Sequence, residues 1–159
     1  MATTALRTYT ARSGSSATNS TTVALVAATA KSVVGVLGAS SDTINLVHGI
    51  VSFSSATSTD APAVVEFGLI TALGTTTSFT PVQQTGIVVA SSATAGYNAT
   101  VEPTYSRILK TLYVPVFNGT YEFWNPLGFE PQAAASQGFA IRVTSPSATN
   151  CYAALTYGE

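Results

Sequence analysis

The apolar positions of this chain recur with period two in one segment after another, and nowhere do they hold the three-and-four spacing of an amphipathic helix. Near the end, Phe139, Ile141 and Val143 alternate with Ala140, Arg142 and Thr144; after a polar connector at Ser145, Pro146 and Ser147, the residues Cys151, Ala153, Leu155 and Tyr157 alternate with Tyr152, Ala154 and Thr156. Successive strand side chains point to opposite faces, so the pattern predicts a hairpin over 139–158. Phe139, Ile141, Val143 and Leu155 are its expected core, and its last strand is expected to lie inside a sheet, with partners from elsewhere in the chain.

The same grammar predicts strands over 23–29 and 31–37, the first Ala-rich enough to leave a short helix open. The segment 44–53 has apolar groups in both alternating sets, Ile44, Leu46, His48 and Ile50 against Asn45, Val47, Gly49, Val51 and Phe53, which suits a central strand. In 63–73, Glu66 is expected to be exposed and Gly68 to mark a bulge or a close approach. In 106–117, Ile108, Leu112, Val114 and Val116 would face one layer and Arg107, Leu109, Tyr113 and Phe117 the other, with an edge or bulge at Pro115. Asn118-Gly119 predicts a type I′ hairpin joining that strand to 120–124. Residues 74–105 are less regular: a short edge segment at Phe79, Pro81 and Val82, a strand at 87–90, a small-residue loop at 91–96 and an undecided stretch at 97–103. An excursion of this length is expected to be functional or interfacial. Residues 1–22 have only Leu6 and Tyr9 as sizeable anchors, and read as a first strand or, preferably, an extended arm folding onto a neighbouring subunit. Eight to ten strands result, and the prediction is an all-β, single-domain β sandwich of the jelly-roll type over 23–159, with an N-terminal arm over 1–22.

Composition adds a constraint on the surface. Apolar residues make up 46% of the 159-residue chain and charged residues 8%, against a usual charged share of about 25%. Ser and Thr, about a quarter of the residues, supply the polarity. Soluble monomers keep apart largely through surface charge, so much of this surface is expected to be covered by further copies or by a partner assembly. A globular monomer in light scattering would count against that. The six basic residues, Arg7, Arg12, Lys31, Arg107, Lys110 and Arg142, are scattered in a chain of net charge -1, which disfavours a nucleic-acid stripe. The first dozen residues lack the apolar centre of a signal peptide. The longest apolar run, 23–37, is interrupted by Lys31 and Ser32 and does not suit a membrane helix. Cytoplasmic synthesis and no membrane partner are the expectation. Cys151, the only cysteine, has no partner for an intrachain disulfide and reads as a packed side chain.

Candidate chemistry is sparse. One His and one Cys do not make a transition-metal site, and Asp42, Asp60, Glu66, Glu102, Glu122 and Glu130 are dispersed along the chain. A hydrolase would need His48 beside a hydroxyl nucleophile and a carboxylate such as Asp42, yet no GxSxG elbow is present. A glycosidase pair could in principle come from Glu102, Glu122 and Glu130, but solvent-facing charges are the simpler reading. Phosphate-cradling loops are absent, and the sequons at Asn19, Asn98 and Asn118 are what a Thr-rich chain produces without meaning. No catalytic residue, cofactor or metal is expected, and the chain reads as a non-enzyme. The remaining signal is aromatic: Tyr121, Phe123, Trp124, Leu127 and Phe129 crowd one region and form either a core cluster closing one end of the sandwich or a contact patch. Trp124→Ala separates the two, since loss of the fold indicates core and loss of assembly with the fold intact indicates interface. With Leu6 and Tyr9 of the arm, the candidate interface residues are Leu6, Tyr9, Phe123, Trp124, Leu127 and Phe129.

The apolar strand 108–117, the aromatic turn 121–129 with its Pro126-Leu127-Gly128 and the ending GFAIRVTSPSATNCYAALTYGE together resemble tailed-bacteriophage virion proteins of the jelly-roll capsid decoration, or cement, type. The resemblance covers residues 63–159 and carries no invariant motif. It implies a homotrimer standing on the major capsid protein, stabilising the shell without catalysis, located on the capsid surface and made in the host cytoplasm. It transfers no individual binding residue. A trimeric head or tail fibre, and a receptor- or carbohydrate-binding β sandwich using exposed Trp124 or Tyr residues, are the alternatives.

Overall fold

A computed structural model describes residues 7–14, 20–54, 61–85 and 89–159. Thirteen strands and no helix occur among them: β1 Thr8–Arg12, β2 Val23–Leu25, β3 Ala30–Leu37, β4 Ile44–Ser54, β5 Ala63–Ala72, β6 Thr75–Phe79, β7 Val82–Gln83, β8 Thr94–Val101, β9 Thr104–Val114, β10 Thr120–Trp124, β11 Gln132–Ala133, β12 Gly138–Thr144 and β13 Thr149–Gly158. They form two antiparallel sheets packed face to face, a β sandwich. The first runs β10-β4-β13-β1-β7, with β11 also on β4 and β2 on β13; the second runs β6-β8-β3-β12-β5-β9. The apolar sets read from the sequence in the last two strands are buried, and the small Ala140 and Ala154 of the opposite sets are buried with them. Phe139, Ile141, Val143, Cys151, Ala153, Leu155 and Tyr157 are all at most 1% exposed and belong to one core between the sheets.

Three connections differ from expectation. The strands of the expected C-terminal hairpin do not pair: β12 lies between β3 and β5, and β13 between β4 and β1, in opposite sheets. Asn118-Gly119 likewise joins no hairpin, since β9 pairs with β5 and β10 with β4. A type I′ turn needs φ > 0 at both central residues, and here only Asn118, at φ 51°, is positive. Residues 8–12 take the first-strand alternative rather than the preferred arm. Strand β1 pairs with β13 on one side and β7 on the other, and Tyr9 stacks on Tyr157 with ring centroids 5.8 Å apart. Residues 1–6, including Leu6, lie outside the described residues.

Smaller differences have local causes. The segment 23–29 is a strand only to Leu25, because Ala28 at φ 56° turns the chain. Strand β8 extends through Thr94–Val101, where a loop and an undecided stretch were expected. The expected 87–90 strand is partly outside the described residues, and Val89 and Ala90 are irregular. In β4, Thr156 pairs with His48 but Tyr157 with Leu46, so Val47 is a bulge. One extra residue inverts the alternation, which puts both Ile44 and Leu46 and then Val51 and Phe53 into the core. Apolar residues in both sets therefore serve one face. A bulge also admits Leu109 to the core margin with Leu112, against the expected split of β9. Glu66 is half-buried rather than free, and Arg142 Nε donates to its Oε2 at 2.8 Å.

The excursion between β5 and β9 adds β8 and β6 to the edge of the second sheet beyond β3, and β7 to the edge of the first beyond β1. Tyr105 lies over Gly68, Leu73 lies over Gly35, and the Glu102 carboxylate accepts from Ser32 N–H at 3.0 Å and from the Ser32 hydroxyl. Gly68 thus serves both readings, a register shift and a close approach.

Candidate functional site

The aromatic segment is sorted by the pleat of β10. Tyr121 and Phe123 point inward, and Phe123 meets Phe67 edge to face at 4.6 Å over Gly49, the residue opposite it on β4. Phe123 thus packs half-buried against the core and Tyr9 is fully buried, so these two of the expected contact residues do not stand out at the surface. Thr120, Glu122 and Trp124 point outward. Trp124, Leu127 and Phe129 are 66%, 86% and 81% exposed, so three of the six expected contact residues are brought together at the surface.

Leu127 and Phe129 stand on a tethered loop. Asn125 N–H donates to Val47 O at 2.8 Å, Asn125 Nδ2 to Leu46 O at 2.7 Å, and Leu46 N–H to Pro131 O at 2.9 Å, fixing both ends of 125–131 on the β4 bulge. Within it, Phe129 N–H donates to Pro126 O at 2.9 Å and Gly128 N–H to Glu130 Oε2 at 2.7 Å. Gly128 has φ +85°, as the third residue of a type II turn requires. Beneath the loop, a cavity of about 110 Å³ opens among Leu46, Phe67, Leu109, Phe123 and Pro131. The Lys110 ammonium lies 5.1 Å from the Phe123 ring centroid at its rim.

Beside the loop, His48, Glu122 and Trp124 form one unit. His48 Nε2 donates to Glu122 Oε1 at 2.9 Å, Trp124 Nε1 donates to the same oxygen at 3.1 Å, and the imidazole and indole stack at 4.1 Å. Glu122 and Trp124, two apart on a strand, are legible as neighbours from the sequence. His48 comes from another strand and is not. Neither Asp42 nor a hydroxyl is bonded to His48, so the triad considered from sequence does not assemble. Glu102 and Glu122 sit on the outer faces of opposite sheets and make no carboxylate pair. Among the described residues no three His, Cys, Asp or Glu side chains converge on a common point, and no helix is long and apolar enough to cross a membrane.

An open hollow of about 450 Å³ is lined by Arg7, Ser41, Asp42, Thr43, Ser92 and Glu159, but the Glu159 carboxylate is bound by Ser91 Oγ at 2.6 Å, Ala93 N–H at 3.1 Å and Ser92 N–H at 3.2 Å. Burial pushes the Cys151 thiol up to about 12, which keeps it a protonated core side chain. Asn98 and Asn118, read as chance sequons, hold φ of 54° and 51°, a conformation that Asn tolerates better than most residues. No protein-family model, curated protein or solved structure matches the chain.

Proposed function

We propose that the chain is a non-enzymatic structural protein of a tailed-bacteriophage virion, a capsid decoration protein that associates with itself as a homotrimer and with the major capsid protein on the capsid surface. The observation that carries this reading is the tethered loop 125–131. Burying a side chain such as Leu127 or Phe129 contributes about 1.5–3 kcal/mol each, and a loop already fixed by five hydrogen bonds to itself and to β4 loses little freedom on docking. Large apolar side chains held rigidly outward suit permanent contact better than turnover. The low charge of the chain agrees with a surface that is covered in use.

The strand order supports the same reading. Eight of the strands arrange as β1-β13-β4-β10 against β3-β12-β5-β9, consecutive ones lying in opposite sheets except β5 and β9; we read this as the two Greek keys of a jelly roll, an architecture of viral capsid and lectin domains. In the test, Leu127→Ser and Phe129→Ser are introduced together. The variant is expected to melt like the parent, to lose its oligomeric mass in light scattering and to be missing from purified particles. A parent that is monomeric and absent from every particle overturns the proposal.

A further inference from the structure

The outer face of the first sheet carries an arrangement that the packing of the sandwich does not use. Register places Trp124, His48, Thr156 and Thr10 in one row across β10, β4, β13 and β1. Glu122 begins the next row, which runs through Ile50 and Ala154 to Arg12, and Thr120, Ser52 and Tyr152 form a third. Trp124 is largely exposed and yet held: the His48 ring covers one face of the indole, and Glu122 takes its N–H. Such a ring meets a ligand with little loss of rotamer freedom.

We propose that this face binds a neutral pyranose of a glycan, with Trp124 as the stacking platform. The open face of an indole carries the negative lobe of its quadrupole and attracts weakly positive edges, and the C–H face of a pyranose presents these over an area matching the ring. The hydroxyls of the sugar are both donors and acceptors, and they need both kinds of partner. Glu122 offers the second oxygen of its carboxylate, since His48 and Trp124 converge on Oε1. Thr156 and Thr10, bonded to each other at 2.9 Å, offer hydroxyls in line with the indole, and Ser52, Thr120 and Tyr152 continue the neutral surface. Phosphorylated or carboxylated ligands are disfavoured at the platform because Glu122 stands beside it, whereas Arg12 lies three strands away at the other end of that row. A cation would find the same carboxylate, but its charge is already shared by two N–H donors. Leu127 and Phe129 take no part, so this site stands or falls separately from the assembly surface.

Trp124 is the only tryptophan, so tryptophan-selective excitation of the intact protein reports on this face alone. Methyl glycosides of glucose, galactose, mannose and N-acetylglucosamine, and neutral oligomers of each, are titrated at concentrations up to roughly 10 mM, where a Kd of about 1 mM saturates. At least one is expected to change the emission saturably. Calorimetry with that sugar should then show a loss of about tenfold or more for Trp124→Ala, a smaller loss for Trp124→Phe, and no change for Leu127→Ser with Phe129→Ser. Circular dichroism identical to the parent confirms that the variants fold. No response to any neutral saccharide, undiminished binding by Trp124→Ala, or a response confined to lysine peptides or inorganic phosphate overturns the proposal.

Discussion

Gly49 has no side chain because Phe123 and Phe67 occupy the space that one would need. A Cβ there would lie 2.9 Å from Phe67 Cε1 and closer still to Phe123. Gly49→Ala must therefore push apart an aromatic pair at the edge of the core, and overpacking of this kind costs about 1–3 kcal/mol. Urea denaturation should show that loss with an unchanged slope. Tyr9 predicts the opposite sign. Its ring is buried against Tyr157, but its hydroxyl has no hydrogen-bond partner among the described residues, and a buried unsatisfied group costs about 1–3 kcal/mol. Tyr9→Phe keeps the packing and removes the hydroxyl, so its denaturation midpoint is expected to rise. A fall would mean that the hydroxyl is satisfied in solution.

At the scale of elements, β1 decides between arm and strand. An arm can be removed without unfolding the domain that carries it. Deleting residues 1–12 here would take Tyr9 and Ala11 from the core and leave the Tyr157 side of β13 unpaired. The truncated protein is expected to lose its cooperative thermal transition, and a parent-like melt would restore the arm reading. Strand β1 shows where the sequence was legible and where it was not. Tyr9 and Ala11 do alternate with Thr8, Thr10 and Arg12, but five residues with two apolar positions are too weak a pattern to set against a flanking Ser/Thr run. Longer strands such as β12 and β13 were plain because each turns a continuous apolar row to the core. Their allocation to sheets was not plain. Four residues, 145–148, separate them, and at about 3.3 Å per residue such a connector can close a hairpin or cross the roughly 10 Å between sheets. Which of the two occurs is settled by distant strands, β3 and β5 for one and β4 and β1 for the other. The bulge at Val47 was hidden likewise, since an inverted alternation looks locally like a strand buried on both faces. The surface trio followed the same rule: Leu127 and Phe129 could be placed in a loop from Pro and Gly alone, while the partner of Trp124 lies 76 residues back at His48.

The whole molecule is predicted to be sensitive to alkali. Burial pushes the Tyr105 phenol up to about 12, opposed in part by its hydrogen bond to Ser32, and the Cys151 thiol, also through burial, up to about 12; burial raises Tyr157 as well. The folded form holds these protons more tightly than the unfolded chain does. Stability is therefore fully present below the unfolded values of 9.0 for the thiol and 10.0 for the phenols, and is lost as pH rises towards about 12. Thermal melts should show a Tm that falls steadily from about pH 9 upward, with phenolate absorbance from the buried tyrosines appearing together with unfolding. A Tm flat to pH 12 would contradict the burial of these groups.

The pairing of β1 with β13 also has a consequence in time. Thr10 and Thr156, joined by their hydroxyls, are 146 residues apart in the chain, and no sheet neighbour of β13 precedes it by fewer than about ninety. The first sheet therefore closes only when β13 arrives at its centre, and until then β4 and β1 wait with unpaired edges. Chains dominated by such distant pairings fold in milliseconds to seconds rather than microseconds. Stopped-flow refolding should show that slow phase as a single step, since the strand that arrives last is the one that joins the two halves of its sheet.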